Sequence, residues 1–438
     1  MSASLAPGFL FLTLFSQAAL AGSDTILHRF AGPDGYGPGA TLIEGRDGNL
    51  YGTTEQGGTV DRGTVFQLSQ DESGAYTVFT SLHTFSAEDG YNPYAGLIQA
   101  TDGNLYGTST WGGSGGAGSG GTVFELSPDE SGAYTVFTVL HSFIGSFAQP
   151  GTGYRPFGGL IQASDGNLYG TNAYGGEFNF GTVFELSPDE SGAYTVFTVL
   201  HAFTGGDGGS VPYAKLMQAS DGNLYGAADN TVFELSPDEN GAFTVFTVLY
   251  VFTGPDGQWR DGRWPKGGLI QASDGNLYGM TEYGGDGIGG TVFELSPDDG
   301  GAYTVFTRLH SFNQLADGYN SRGGLIQASD GNLYGTAFAG GSGGGSCHPY
   351  CGGQGTAFEL LPDSDGNYTV FTLLHFFIGN QPPSFTGDGS APLAGLMQAS
   401  DGNLYGTTYF GGNQGMYDSG LGTVFNIGVA SASSGARR

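Results

Sequence analysis

Apolar and polar residues alternate in short runs along the whole chain, and the runs return in the same order. In the unit from Gly159 to Phe203, the apolar runs occupy residues 160–163, 168–171, 182–186 and 194–203. They are rich in β-branched and aromatic residues and are bounded by Gly, Pro, Asp and Asn, which is typical of strands. The pattern predicts four short antiparallel strands in each unit. Asp165 and Gly166 are expected to form a two-residue hairpin connection between the first two strands.

The unit is organised around the hexapeptide Asp-Gly-Asn-Leu-Tyr-Gly. The seven copies begin at Asp47, Asp102, Asp165, Asp221, Asp274, Asp330 and Asp401. Each copy is followed by a glycine-rich segment and then by Gly-Thr-Val-Phe-Glu-Leu or a close variant of it. Tandem units of four short strands are typical of propeller blades. We therefore expect an all-β fold, a seven-bladed β-propeller of four-stranded antiparallel blades.

The two ends of the repeated region complement each other. Residues 25–30 match only the end of a fourth strand, whereas residues 422–427 match a third strand with no fourth strand after it. Pairing of the N-terminal strand with the last blade would complete that blade and leave no unpaired edge. An open solenoid would instead need polar caps, which the sequence does not show. The pattern therefore predicts a closed ring.

The first 21 residues differ from the repeats. Gly8 to Ala21 is an apolar run that is too short to span a bilayer, and it ends in Ala19-Leu20-Ala21, a small-residue cleavage pattern. The segment before it contains no Lys or Arg. We expect a signal peptide at 1–21, a propeller at 22–428 and a short C-terminal tail at 429–438. This organisation predicts a secreted, periplasmic or cell-surface protein with no membrane span after cleavage.

The repeated unit resembles a known family. Gly-Gly-Leu-Ile-Gln-Ala-Ser-Asp-Gly-Asn-Leu-Tyr-Gly-Thr, followed by Gly-Gly and Gly-Thr-Val-Phe-Glu-Leu, is similar to the GloVer tandem repeat of choice-of-anchor bacterial surface proteins. The similarity extends from Thr25 to Ile427. It implies an exported repeat protein with a C-terminal sorting signal, and it assigns no biochemical role. After Ile427 no hydrophobic anchor follows, which favours release or periplasmic retention over surface attachment.

Charge narrows the classes of partner. The chain has 41 acidic and 12 basic residues, a formal net charge of −29. Such a chain repels nucleic acid phosphates and anionic membranes, so we expect neither as a partner. Aromatic residues make up 13% of the chain, which is too many for a disordered protein. We expect a folded monomer whose partner is a polysaccharide or a surface protein.

The connections between strands fall into two sets. In a four-stranded blade, the turns between strands one and two and between strands three and four lie at one end, here called the constant face. Their sequences, Asp-Gly-Asn and Pro-Asp-Glu-Ser-Gly, hardly change between repeats. The other connections lie at the opposite end, here called the variable face, and include the long loops 109–121, 336–355 and 378–392. Since binding residues concentrate on loops held by a rigid scaffold, we expect function on the variable face.

Aromatic and basic residues are concentrated in the variable loops. Aromatic rings stack on sugar rings, and Arg side chains bind hydroxyl or carboxylate groups through paired donors. The candidate ligand-binding residues are Trp111, Trp259, Arg260, Arg263, Trp264 and Tyr283. The alternative is that the tryptophans pack the loops onto their neighbours and the bases offset the acidic body.

No catalytic, cofactor or metal site is predicted. The chain lacks a Gly-x-Ser-x-Gly elbow, a His-Glu-x-x-His motif and a phosphate-binding loop. Six of the seven histidines share one position in the fourth strand, and Tyr250 fills it in the remaining blade, which indicates a structural ring of hydrogen bonds. Loop acids such as Glu55 and Glu282 leave open a propeller enzyme of the polysaccharide lyase or glycoside hydrolase type. A structural envelope component is a further alternative.

Two cysteines lie in one glycine-rich loop. Cys347 and Cys351 are expected to form a local disulfide, because the protein is expected to be exported. A metal site that includes His348 is the alternative, although three ligands on one loop leave a zinc ion without a fourth protein ligand.

Overall fold

The computed structural model describes residues 25–114, 120–145, 151–253, 259–314, 316–341, 354–379, 387–412 and 420–428. Within these ranges the chain forms seven antiparallel sheets of four strands, together with one short 3-10 helix at Gly206–Gly208. Each sheet is one blade of a β-propeller, as the repeat predicts. The described residues contain no helix that is long and apolar enough to cross a membrane.

The blades share one strand plan. The short first strands are β2 (Ile43–Glu44), β6 (Ile98–Gln99), β10 (Ile161–Gln162), β14 (Met217–Gln218), β18 (Leu269–Gln271), β22 (Ile326–Gln327) and β26 (Met397–Gln398). The second strands are β3 (Leu50–Thr54), β7 (Leu105–Ser109), β11 (Leu168–Asn172), β15 (Leu224–Ala228), β19 (Leu277–Thr281), β23 (Leu333–Ala337) and β27 (Leu404–Thr408).

The outer strands are longer. The third strands are β4 (Thr64–Gln70), β8 (Thr122–Pro128), β12 (Thr182–Pro188), β16 (Thr231–Ser236), β20 (Thr291–Pro297), β24 (Thr356–Pro362) and β28 (Thr423–Ile427). The fourth strands are β5 (Tyr76–Thr84), β9 (Tyr134–Ser142), β13 (Tyr194–Ala202), β17 (Val245–Val251), β21 (Tyr303–Ser311), β25 (Tyr368–Phe376) and β1 (Thr25–Arg29). Blades 1 to 6 each take four consecutive strands from β2 onward, and blade 7 consists of β26, β27, β28 and β1.

The ring closes through the first strand of the chain. β1 pairs antiparallel with β28, so that Thr25 lies opposite Asn426 and Arg29 lies opposite Thr423. The predicted closure is therefore confirmed. At this junction the Ser400 backbone N–H also donates to Glu44 Oε2 of blade 1 at 2.7 Å.

A repeated hydrogen bond joins neighbouring blades on the constant face. In each of the other six junctions, a backbone N–H in the first turn of one blade donates to the first-strand Gln Oε1 of the next blade at 2.7–2.8 Å. The six pairs are Arg46 with Gln99, Thr101 with Gln162, Ser164 with Gln218, Ser220 with Gln271, Ser273 with Gln327 and Ser329 with Gln398. These bonds explain why Gln recurs in the first strand.

The hydrophobic core lies between the blades. One cluster combines Tyr169 and Val183 of blade 3 with Leu224 and Phe233 of blade 4, and equivalent clusters follow around the ring. The last Gly of the hexapeptide makes this packing possible. A Cβ on Gly170 would lie 2.5 Å from Phe184 Cζ, so a larger residue would displace the ring.

The Asp-Gly-Asn turn is longer than the two-residue connection that the sequence predicts, so that prediction is wrong. Ala163 N donates to Asn167 O, which leaves residues 164–166 between the paired positions. Gly166 takes a positive φ of 90° and donates its N–H to Ala163 O, as in a turn followed by a bulge. The Asp165 carboxylate accepts the Asn167 N–H, which stabilises this longer turn.

Candidate functional site

Short backbone bridges brace the loops of the variable face. Six blades pair the loop after the second strand with the loop that enters the same blade. The bridges are Tyr36 with Gln56, Tyr91 with Trp111, Tyr154 with Tyr174, Arg263 with Tyr283, Tyr319 with Ala339 and Ser390 with Phe410. The residue that follows in each entering loop has a positive φ, including Arg155 at 58° and Trp264 at 61°. Such strain in non-glycine residues requires a well-fixed backbone and is frequent at binding sites.

A groove runs between the loops of blades 5 and 6. It has a volume of about 580 Å³, within the range of small-molecule pockets. Its walls include Trp259, Arg263, Tyr283, Tyr319 and Phe338. The Tyr283 side chain is 36% exposed, so the groove presents an accessible aromatic surface.

A smaller cavity of about 200 Å³ lies beside the groove. Trp264 lines it together with Tyr174, Tyr213, Asp229 and Lys266. Trp264 packs edge-on against Tyr283, with ring centroids 5.2 Å apart, so this pair separates the cavity from the groove. The buried indole Nε1 of Trp264 has no hydrogen-bond partner among the described residues, and burial raises the pKa of Asp229. The cavity therefore offers polar groups as well as rings.

Four of the six predicted ligand-binding residues come together here. The Arg263 guanidinium lies 5.0 Å from the Trp259 ring and 4.6 Å from the Trp264 ring, and Tyr283 is adjacent. Arg260 is exposed and does not line the groove, although its carbonyl accepts from Arg308 at 2.8 Å.

Trp111 lies apart from this cluster, on blade 2. The Arg155 guanidinium covers its ring at 3.8 Å, and Tyr91 stacks parallel to it at 6.4 Å. The structure therefore joins Trp259, Arg263, Trp264 and Tyr283 and separates Trp111 and Arg260 from them.

Most bases of the variable face lie over aromatic rings. Arg62 lies 4.3 Å from the Tyr91 ring, Lys266 lies 4.9 Å from the Tyr213 ring, and Arg322 lies 4.9 Å from the Phe338 ring. Cation–π contacts of this kind contribute about 0.5–1 kcal/mol at exposed sites. The alternative interpretation, in which aromatics and bases pack on one another, describes part of this face correctly.

Sequence reasoning missed a buried ion cluster at the inner edge of the face. The Glu282 side chain is 1% exposed, and Arg322 binds its Oε1 through Nε at 2.8 Å and Nη2 at 2.7 Å. Lys266 Nζ forms an ion pair with Oε2 at 2.7 Å. Burial alone would raise the pKa of Glu282, but the two cations outweigh it and hold the pKa below its usual value. Alignment of the repeats could have revealed this cluster. Lys266 of blade 5 and Arg322 of blade 6 occupy the same repeat position, and the other five blades have an uncharged residue there.

A second buried acid, Glu55, occupies the same repeat position in blade 1, without a cation from the described part of the chain bound to it. Glu55 Oε2 accepts from the Tyr409 hydroxyl at 3.1 Å, and Oε1 is buried with no partner among the described residues. Burial raises the pKa of Glu55 to about 7. A Cβ on Gly39 would lie 2.7 Å from Oε1, so this oxygen faces the inner rim of the ring.

The histidines are structural, but not all of them form hydrogen bonds. His28, His83, His310 and His375 contact Asp34, Asp89, Asp317 and Asp388 at 2.7–3.0 Å, and Tyr250 donates to Asp261 at 3.0 Å. The hydrogen-bonding prediction is wrong for His141 and His201, whose Nε2 atoms have no partner among the described residues. The loop after His141 contains no Asp, and Asp207 in the loop after His201 lies in the 3-10 helix Gly206–Gly208 and does not bond to the ring. Burial lowers the pKa of each His to about 4. Both still stack on a Phe ring of the next blade, at 4.1 and 3.7 Å.

Several sequence predictions fall outside the described residues. These are the signal peptide at 1–21, the tail at 429–438, and Cys347, His348 and Cys351. In the described ranges, no group of three or more His, Cys, Asp or Glu side chains is placed to hold a metal ion.

Solved structures share the fold. Virginiamycin B lyase from Staphylococcus aureus, as an inactive variant with quinupristin, aligns with a TM-score of 0.53 at 12% identity over 93% of this chain and 100% of that chain. The extracellular domain of a hybrid two component system from B. thetaiotaomicron aligns with a TM-score of 0.52 at 9% identity, over 91% of this chain and 39% of that chain. At these identities the likeness concerns the fold alone.

The sequence comparisons identify the family. No curated protein matches the chain. The Gloeobacter/Verrucomicrobia repeat profile, however, matches residues 13–231 and 197–382, which together span most of the sequence. The matched ranges contain all four strands of blades 1 to 6, and the chain belongs to the Gloeobacter/Verrucomicrobia (GloVer) repeat family.

Proposed function

We propose that this protein is an exported binding module whose ligand is a glycan. The ligand occupies the groove between blades 5 and 6 and the cavity beside it. The observation that carries this proposal is the arrangement of Trp259, Tyr283 and Tyr319 along one accessible groove of about 580 Å³. Aromatic faces of this kind stack on the apolar faces of sugar rings.

Polar groups beside the rings support a hydroxyl-rich ligand. Gln314 and Asn320 line the groove, and the unpartnered Trp264 indole N–H lies at the smaller cavity. A few polar groups set among aromatic walls are the usual composition of a specific small-molecule or sugar site. A purely structural role for the face fits less well, because Tyr283 and Ile288 remain 36% and 66% exposed.

Binding is favoured over polysaccharide cleavage by the state of the nearby acids. Glu282 is almost inaccessible, and both of its oxygens are engaged by Lys266 and Arg322. Glu55 is also buried, with its hydrogen-bonded oxygen facing Tyr409. A glycoside hydrolase needs two carboxyl groups that reach the scissile bond from opposite sides. Neither of these two acids is accessible enough for that role. Asp229 is the one acid among the described residues that line the groove and the smaller cavity, so it has no second carboxylate beside it in either lining.

We also propose that the protein acts outside the cytoplasm. The apolar run that ends at Ala21 supports export, since its length and its small-residue ending are those of a signal peptide. The aligned B. thetaiotaomicron propeller is an extracellular domain, which agrees with this location.

The test is retention of the purified protein on a panel of immobilised polysaccharides. The double substitution Trp259→Ala and Trp264→Ala should weaken retention on the bound glycan by about thirtyfold or more, equivalent to about 2 kcal/mol. Trp111→Ala is the matched control, because the Trp111 ring is covered by Arg155 and lies outside the groove. Equal retention of the double variant and the wild type, with both folded by circular dichroism, would refute the proposal.

A further inference from the structure

The central channel of the ring carries an unusual charge distribution. The seven first strands and the residues that lead into them enclose a cavity of about 730 Å³. Its lining contains three basic residues, Lys215, Lys266 and Arg322, and no acidic residue. This is unexpected in a chain with 41 acids and only 12 bases. The channel is therefore a basic compartment inside an acidic protein.

Backbone crowding explains most of the channel sequence. A Cβ on Gly267 would lie 2.1 Å from Gly323 O, and a Cβ on Gly323 would lie 2.5 Å from Ala394 C. Only Gly or Ala occurs at this position in the seven blades. The next residue along the chain is Gly in five blades and Thr41 in one. In blade 4 it is Lys215.

Lys215 extends into the channel space. A Cβ on Gly159 of the preceding blade would lie 3.5 Å from Lys215 Cδ, so the side chain runs along the channel wall over blade 3. The residue is exposed to the channel space, whose walls come from all seven blades. The enclosure costs the ammonium group part of its hydration and lowers the pKa of Lys215. Among the described residues, no acid or carbonyl pairs with the Lys215 ammonium.

The two other cations stand nearer the variable face. Lys266 and Arg322 occupy the position that in blade 4 belongs to Tyr213, two residues before Lys215. Two residues of extended chain span roughly 7 Å, so these cations form a rim above Lys215. Glu282 pairs with both of them from behind the lining and neutralises one charge. When Glu55 at the inner rim is protonated, the three bases and Glu282 leave this end of the channel with a net positive charge.

We propose that the variable-face end of the central channel binds an oxyanion, a carboxylate or phosphate group, at the Lys215 ammonium. The group belongs to a small molecule or to the end of a longer chain that the cavity can admit. Enclosure strengthens a charge-assisted hydrogen bond there, because surrounding protein lowers the local dielectric. Lys215 lines neither the groove nor the smaller cavity, although the rim residues Arg322 and Lys266 border them. The proposal goes beyond the proposed glycan-binding function.

Isothermal titration calorimetry of the full chain at low ionic strength tests the site. The probes are sodium glucuronate and inorganic phosphate, at about pH 6, where Glu55 is largely protonated and acid conditions favour the charged form of Lys215. Wild-type protein should bind at least one probe saturably. Lys215→Gly restores the residue found in five other blades, so it should fold normally and lose about tenfold or more in affinity. Lys215→Arg should retain binding.

A matched control removes the same charge elsewhere. Arg46→Gln lies on the constant face, where Arg46 donates to the carbonyls of Ala100 and Thr101, and it should leave the affinity unchanged. Binding of glucuronate alone would identify a carboxylate ligand, and binding of phosphate alone would identify a phosphate ligand. Absence of saturable binding by wild type, or equal affinity of Lys215→Gly, would overturn the proposal. Trp259→Ala alone removes a wall of the groove and leaves Trp264 in place beside Lys266, so it should not affect this binding, and the two proposals can fail independently.

Discussion

The two faces of the ring use polar groups in opposite ways. On the constant face, each Asp of the hexapeptide accepts a Tyr hydroxyl and a backbone N–H, and five Asn side chains donate to a third-strand Glu. Toward the variable face, buried polar atoms such as Glu55 Oε1, Trp264 Nε1 and Ser321 Oγ have no partner among the described residues. In native proteins, unsatisfied groups and backbone strain concentrate where a ligand binds. The polar groups of the constant face therefore stabilise the fold, whereas those of the variable face remain able to bind a ligand.

The largest effect should come from the variable-face acid Glu55. Burial raises its pKa to about 7 from an ordinary value near 4.3, which corresponds to roughly 3 kcal/mol. Because the folded pKa is the higher one, stability is greatest below about pH 4 and falls as pH rises to 7. Glu55→Gln should remove this loss and stabilise the protein by about 3 kcal/mol at about pH 8, as measured by urea unfolding. A variant that is less stable than wild type at that pH would contradict the contrast between the faces.

On the constant face, removal of an acid should destabilise the protein instead of stabilising it. Asp165→Ala leaves the buried Tyr169 hydroxyl and the Asn167 N–H without their acceptor, so it should destabilise the fold by about 2 kcal/mol. Tyr169→Phe is the control, because it leaves an exposed Asp165 that water can solvate, and it should cost about 1 kcal/mol. Glycan retention should be unchanged in both variants. If Asp165→Ala left the free energy of unfolding unchanged, these turns would not stabilise the ring.

A smaller effect on the pH dependence of stability should come from the histidines without an Asp partner. Burial lowers the pKa of His201 to about 4, so its contribution to stability is present above about pH 6.5 and is lost as pH falls toward 4. Solvent contact reduces the effect to about 1 kcal/mol. His201→Tyr introduces the residue that blade 4 uses as Tyr250, and it should flatten the acid limb of the stability profile. His310 is bonded to Asp317, so His310→Tyr should not flatten the acid limb. Identical pH–stability profiles for the two variants would refute this difference.

The sequence predicts the ring because the same four-strand pattern, which is weak evidence in one unit, recurs in seven units. The unmatched strands at 25–30 and 422–427 also predict the closure, which the β1 to β28 pairing confirms. Local hydrogen bonding is harder to predict. The turn at Asp165 is longer than expected because its side chain caps a backbone N–H. His141 lacks a partner because its loop has no Asp, whereas Asp207 in the loop after His201 is held in a 3-10 helix and does not reach the ring.

The candidate site is predicted only in part, because it depends on contacts between blades. Trp259, Arg263, Trp264 and Tyr283 meet because they lie on the connection into blade 5 and on a loop of that blade. Trp111 belongs to blade 2 and could have been excluded by counting repeats. The Glu282 cluster and Lys215 are visible in the sequence only after the seven copies are aligned, as charges at positions where other blades have uncharged residues.

The pairing of β1 with β28 also sets how the molecule can be attached to anything else. Thr25 and Asn426 lie opposite each other at the constant-face end of their strands. Any segment joined at either end of the ring therefore departs from that one side. A tether at either terminus would hold the disc by its regular side and turn the aromatic groove and the channel mouth outward.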